Sequence, residues 1–244
     1  MKKLFISTVI VVAMITVSCE VIDTLSESEV IQGLKEALNI GSQSASKILG
    51  KTDGYYGDEL VKILLPPEAD VIVENIRYIP GGDALIEDLI KSINRSAEDA
   101  ATEVVPIFKG AITDMTIQDG FNILKGDSTA ATQYLKTSTY SGLFELYQPK
   151  IDVALGKPFV GSTSTNDVWA SLTGKWNTFA ESLAGELLDF KPVNTNLSDF
   201  LTNEALDGLF LKLADEEVKI RTDPAARVTD ILKKVFGSEE AQGE

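Results

Sequence analysis

The chain has 244 residues, of which 22 are Lys or Arg and 37 are Asp or Glu, giving a formal net charge of −15. An acidic balance of that size excludes nucleic acid and anionic lipid surfaces as natural partners, since both would repel it. Histidine is absent and cysteine occurs once, which removes Ser-His-Asp and Cys-His catalysis, His-ligated zinc or haem, and any disulfide within the chain.

Met1, Lys2 and Lys3 lead into an apolar run from Leu4 to Val17. As a helix this run spans about 21 Å, short of the roughly 30 Å of a bilayer core, so it fits the apolar region of a secretory signal and not a permanent span. Val17-Ser18-Cys19 follows and resembles the cleavage site of bacterial lipoproteins, where the cut precedes the cysteine and the thiol carries a diacylglycerol. Thr16 departs from the Leu usual at its place. The alternative is an ordinary secretory leader followed by a buried thiol, but a lone thiol outside the cytoplasm risks unwanted pairing, and acylation consumes it. The expected organisation is a cleaved signal peptide over 1–18, an acylated tether over 19–24, a helical domain over 25–237 and a flexible tail over 238–244. The expected location is the bacterial cell envelope, as an outer-membrane lipoprotein facing the periplasm or the surface. Its membrane partner would be reached through lipidated Cys19.

Leu25-Ser26-Glu27-Ser28-Glu29-Val30 predicts a helix start, with Ser26 and Glu29 at capping-box spacing and Leu25 and Val30 placed as a hydrophobic staple. The helical pattern is interrupted at Gly41 and is expected to end at Gly50, followed by a loop over 51–58. Pro66-Pro67 halts the apolar run from Leu60 to Leu65, and Pro67 is placed to open a helix through Ile79. Asp83 to Val105 carries the widest apolar stripe, which Pro106 ends or kinks. Thr116 and Asp119 form another cap, and Asp127 is a candidate cap for a helix from Ser128 that bends at Pro149. Gly156 to Asn166 reads as an exposed connection. A helix is expected from Asp167 to Leu188, with Val168, Leu172, Trp176, Phe179, Leu183 and Leu187 at helical spacing; Trp169 and Trp176 share a face with Leu172 and Phe179, read as core packing with a sugar platform as the alternative. Leu197 to Ile220 and Pro224 to Phe236 complete the chain, joined at Thr222-Asp223-Pro224. No segment alternates long enough to require a strand. The fold class is therefore all-α, a single compact bundle of long and short helices behind a signal peptide.

Several stretches together resemble a bacterial lipoprotein family, the domain of unknown function DUF4197. They are Leu25-Ser26-Glu27-Ser28-Glu29 with Gly33-Leu34-Lys35-Glu36-Ala37-Leu38, Asp53-Gly54-Tyr55, Leu64-Leu65-Pro66-Pro67, Asn94-Arg95 with Ala97-Glu98, and Met115-Thr116-Ile117 with Ala130-Ala131-Thr132-Gln133-Tyr134. Ala205-Leu206-Asp207-Gly208-Leu209-Phe210 and Asp223-Pro224-Ala225-Ala226-Arg227 with Leu232-Lys233-Lys234-Val235-Phe236-Gly237 extend the resemblance over nearly the whole body. It implies a helical envelope protein and brings no activity, catalytic residue or cofactor.

Gly-x-Gly-x-x-Gly, a phosphate-binding Gly-Lys-Ser/Thr loop and a Gly-x-Ser-x-Gly elbow are all missing. What remains is carboxylate chemistry. Asp53 and Asp58, beside Tyr55 and Tyr56, could serve sugar hydrolysis or bind calcium, or simply solvate a loop. Asn94, Arg95 and Glu98 interrupt the polar side of the long helix, where Arg95 and Glu98 are spaced to pair. Asp215, Glu216, Glu217, Arg221 and Arg227 form a second mixed cluster. A polar cleft or ligand site, if present, is expected to draw on Asp53, Tyr55, Tyr56, Asp58, Asn94, Arg95, Glu98 and Arg227. No cofactor, metal or catalytic residue is assigned. The leading expectation is a non-enzymatic accessory or scaffold protein that meets another envelope protein. The alternatives are a carrier of a lipid or other hydrophobic ligand and a histidine-free carboxylate hydrolase.

Overall fold

The computed structural model describes residues 25–70, 73–74, 82–160, 162–238 and 241. The leader, Cys19, the tether and most of the tail lie outside them. Among the described residues the fold is all-α and compact, and one hydrophobic cluster runs from Val30 to Phe236.

The elements follow local chemistry closely. Helix α1 (Glu27–Leu49) starts on the expected capping box, in which Ser26 and Glu29 satisfy each other's backbone N–H groups, and closes at Gly50. Gly41 does not interrupt it. A Cβ there would stand 2.9 Å from Leu213 Cδ1, so this glycine lets α1 approach its neighbour closely. Pro67 occupies the first position of a 3-10 turn (Pro67–Ala69); most of the helix expected to follow lies outside the described residues. Helix α2 (Gly82–Ala101) stops short of Pro106, which sits in the first turn of the next helix, α3 (Val105–Asp114). There the missing proline N–H costs nothing, so Pro106 begins an element and kinks none.

Thr116 and Asp119 form the expected cap of α4 (Ile117–Leu124). Helix α5 (Ala130–Gly156) starts two residues later than the sequence suggests and continues past Pro149. The stretch read as a plain connection contains a small antiparallel pair, β1 (Pro158–Val160) with β2 (Thr163–Ser164). The single helix expected over 167–188 is two: α6 (Thr165–Ala180), capped by Ser164 and Asp167, and α7 (Leu183–Leu187), capped by Ser182. Helix α8 (Leu197–Thr222) begins on Asn196, and Pro224–Ala226 forms a 3-10 turn before α9 (Asp230–Phe236).

Helix α8 is the hub. It packs against α5, α1, α2 and α9, and both apolar residues (Leu201, Leu206, Leu213) and polar ones (Thr202, Lys212, Glu217) are buried on it. A helix covered on nearly every side belongs to the centre of a bundle. Helices α1 and α8 run antiparallel, since Gly41 faces Leu213 while Tyr55, beyond the end of α1, bonds to Ala205. The start of α1 therefore lies by the end of α8 and by α9, where Lys234 pairs with Glu29 at 2.7 Å. The α6–α7 arm joins at the other end, where Trp169 Nε1 donates to the Thr195 carbonyl just before α8.

The tightest helix contact yields a prediction. A methyl group on Gly33 would lie 2.6 to 2.8 Å from Val235 side-chain carbons. Gly33→Ala is expected to cost about 1–3 kcal/mol by overpacking in urea denaturation, and Gly33→Ala with Val235→Ala is expected to be more stable than the sum of the two single effects. Strict additivity would show that the two positions do not touch.

Candidate functional site

All the residues nominated from the sequence except Arg227 lie on helix α2 or on the 51–66 segment that packs against it. Asn94 and Glu98 lie one turn apart and both face the 51–66 segment. That segment crosses the bundle without a strand partner, so its backbone groups need side chains. Asn94 supplies them in both senses: its Oδ1 accepts the Ile63 N–H at 2.9 Å and its Nδ2 donates to the Ile63 carbonyl at 2.7 Å. A second Nδ2 bond reaches the Ile90 carbonyl at 2.8 Å.

Glu98 does the same for the turn before it. Its carboxylate accepts the N–H groups of Asp53, Tyr55 and Tyr56 at 3.3, 3.2 and 3.2 Å. Asp53 has φ 63°, in the left-handed region, which aspartate tolerates better than most residues. Successive N–H groups around such a position form a concave anion site, and here the anion belongs to the protein. Arg95 closes the arrangement, bonded to Glu98 through Nη1 and to Asp53 Oδ1 at 2.6 Å through Nη2. These two carboxylates, Glu98 first, hold the guanidinium more firmly protonated than usual. Asn94 and Glu98 were expected on the polar side of α2; both are buried, because the 51–66 segment covers them.

The tyrosines and the second aspartate are similarly committed. Tyr55 is fully buried and donates its hydroxyl to the Ala205 carbonyl of α8 at 2.6 Å; burial drives its pKa well up. Tyr56 donates to Glu87, which raises its pKa, and Lys62 Nζ stands 4.5 Å from its ring centroid. Asp58 bonds to Lys212 Nζ at 2.6 Å, and that ammonium holds its carboxyl below the ordinary range. Asp53 and Asp58 are thus each engaged by a different cation.

Arg227 is the exception. Its Nε and Nη2 donate to the carbonyls of Ile220 and Arg221 at 2.9 and 2.8 Å, placing a cation at the negative end of α8. Along that helix, Ile220 lies about 22 Å from the Ala205 contact of Tyr55, so Arg227 is no part of one cleft with the others.

The cluster read around Glu217 repeats the device of Glu98. Thr129 makes no side-chain cap on α5, and Glu217 of α8 provides one across the bundle, accepting the N–H groups of Ala131 and Thr132 at 3.0 and 2.8 Å and the Thr132 hydroxyl at 2.8 Å. Arg221 Nη2 pairs with Glu217 at 2.9 Å and also donates to the Ile123 carbonyl at the end of α4. Among the described residues there is no group of three or more acids or cysteines able to hold a metal ion, nor a helix long and apolar enough to cross a membrane.

Two further features among the described residues bear on binding. The α6–α7 corner exposes Phe179 (43%), Leu183 (76%), Leu187 (79%) and Leu188 (62%). Leu183 and Leu187 were expected to continue the spacing of one long helix; the chain instead breaks after Ala180 and restarts at the Ser182 cap, and both leucines are exposed. Trp169 and Trp176 do pack inward as expected. The second feature is a half-open cleft of about 460 Å³ between the 62–67 segment, α2 and α8, with Leu65, Ile86, Ile90 and Phe200 among its walls. Its polar lining includes Lys62, Asp70 and Glu204, none of which carried a motif in the sequence.

The family described as protein of unknown function (DUF4197) matches residues 24–237, and the chain belongs to it. Neither a curated protein nor a solved structure matches.

Removing one partner of a buried, bonded ion pair costs about 3–5 kcal/mol, whereas an exposed pair contributes about 1 kcal/mol or less. The Glu98 side chain is 4% exposed and that of Asp53 is 54% exposed. Glu98→Ala is therefore expected to lower unfolding free energy by about 3 kcal/mol or more, and Asp53→Asn by under about 1 kcal/mol. Equal losses in urea titrations would refute the assignment of Glu98 as the structural acceptor.

Proposed function

Taking membership of that family as the premise, we propose that the protein is a cell-envelope lipoprotein, tethered through Cys19, that acts as a non-enzymatic accessory or scaffold by docking another envelope protein. The α6–α7 corner carries this reading. Four large apolar side chains within ten residues, Phe179, Leu183, Leu187 and Leu188, are each exposed, and soluble proteins rarely leave large apolar patches open unless something covers them. Burying one leucine against a partner is worth about 1.5–3 kcal/mol.

The corner is also held ready. Trp176, Phe179 and Phe190 pack against one another, with ring centroids 5.2 to 5.9 Å apart. Its Nε1 donates to the Lys191 carbonyl at 2.9 Å, and Asn177 bonds the N–H and carbonyl of Val193 at 2.7 and 2.9 Å. A surface fixed before binding loses little conformational freedom when a partner arrives.

The position suits a tethered protein. Residue 25 lies by the end of α8 and the corner joins at its start, so the length of that helix, about 39 Å, separates the two regions along its axis. The six Cα-to-Cα steps from Cys19 to Leu25 reach about 21 Å at full stretch. A body anchored at Cys19 can thus present the corner away from the membrane that holds it. Carriage of a hydrophobic ligand is a second reading, favoured by the 460 Å³ cleft. The core beside Leu38, Leu213 and Phe236 offers it less, since the void there measures about 10 Å³, room for about one water.

A photocrosslinking side chain at Leu187, in the native host at native expression, is expected to give a discrete protein adduct. The same group at fully exposed Asp230 should not. Leu183→Ser with Leu187→Ser should abolish the adduct while shifting stability by no more than about 0.5 kcal/mol per site. Identical patterns from both positions would contradict docking. The tether is tested by Cys19→Ala, expected to move the protein from the membrane to the soluble fraction; unchanged fractionation would contradict acylation.

A further inference from the structure

The cleft between the 62–67 segment, α2 and α8 is built for more than an apolar guest. At about 460 Å³ it lies within the range of small-molecule sites. Leu65 and Ile86 form nearly buried parts of its wall, and Leu64 stands 57% exposed. Its charged groups are unequal. Lys62 is already engaged, over the Tyr56 ring and 4.0 Å from Glu59. Asp70 and Glu204 have no ion pair or side-chain hydrogen bond among the described residues. Glu204 is partly desolvated by its surroundings and lies near Asp207; both effects push its pKa up, the condition of a carboxylate that a cation would stabilise.

We propose that this cleft binds a cationic amphiphile, its apolar chain lying against Leu65, Ile86 and Phe200 and its ammonium head meeting the carboxylates of Glu204 and Asp70. The argument is charge complementarity laid over an apolar wall. A fatty acid or phosphate head would face two unpaired carboxylates, with Lys62 already occupied. This inference is independent of the docking corner, which lies on other elements.

Isothermal titration calorimetry of the lipid-free chain without its leader, using decylammonium below its micellar concentration, tests it. Saturable one-to-one binding is expected, with decanoate and decyl maltoside at least about tenfold weaker. Glu204→Gln and Asp70→Asn are surface substitutions that should preserve the urea midpoint. Glu204→Gln is expected to weaken decylammonium at least about tenfold, or 1.4 kcal/mol, with a smaller effect from Asp70→Asn. Leu183→Ser with Leu187→Ser should leave the affinity unchanged. No saturable decylammonium binding, decanoate binding as tightly, indifference to Glu204→Gln, or loss of binding in the corner variant would each overturn the proposal.

Discussion

Three backbone N–H groups of the turn after α1 converge on the buried carboxylate of Glu98, with Arg95 holding the far side of that charge. A protein made of helices and joined by irregular segments must satisfy the polar backbone of those segments wherever they are covered. Here that duty falls on charged and amide side chains of neighbouring helices. Asn94 serves Ile63, Glu98 serves the 53–56 turn, Glu217 serves the start of α5, and Arg227 serves the end of α8. Apolar replacements for these residues would leave several donors or acceptors unmet at once, which costs more than any one bond contributes.

The functional consequence follows from where the charges are used. Most residues that looked capable of chemistry are committed inside the bundle, and their partners are backbone groups and one another. Two features are of another kind: an apolar corner stiffened by Trp176 and Phe190, and a cleft in which Asp70 and Glu204 make no ion pair among the described residues. Under the proposed docking role, both would serve recognition by offering contact area and sign. Family membership is consistent with this and adds no activity of its own.

Local chemistry made much of the fold legible in the sequence. Ser26 with Glu29 and Thr116 with Asp119 each announce a helix start through groups within a few residues, and both are found, whereas Asp223 with Pro224 opens only a 3-10 turn and the helix expected from Pro224 begins at Asp230. Periodicity misled where its meaning depends on distant neighbours. Leu183 and Leu187 continue the spacing of α6, but the chain turns at Ser182 and nothing covers them. Gly41 looks like a break until Leu213 is brought beside it. Glu98 reads as surface because its cover, the turn at Asp53 to Tyr56, comes 42 to 45 residues earlier. The Arg95–Glu98 pair was visible from spacing; its burial was not.

Native-state hydrogen exchange at the Tyr55, Tyr56, Ala131 and Thr132 amides tests most directly whether these buried acids hold the structure together. If Glu98 and Glu217 are integral supports, all four amides exchange only through global unfolding, with the same free energy as the amides of α8. Exchange through local opening, orders of magnitude faster than in α8, would show the carboxylates to be loosely held and would contradict the account.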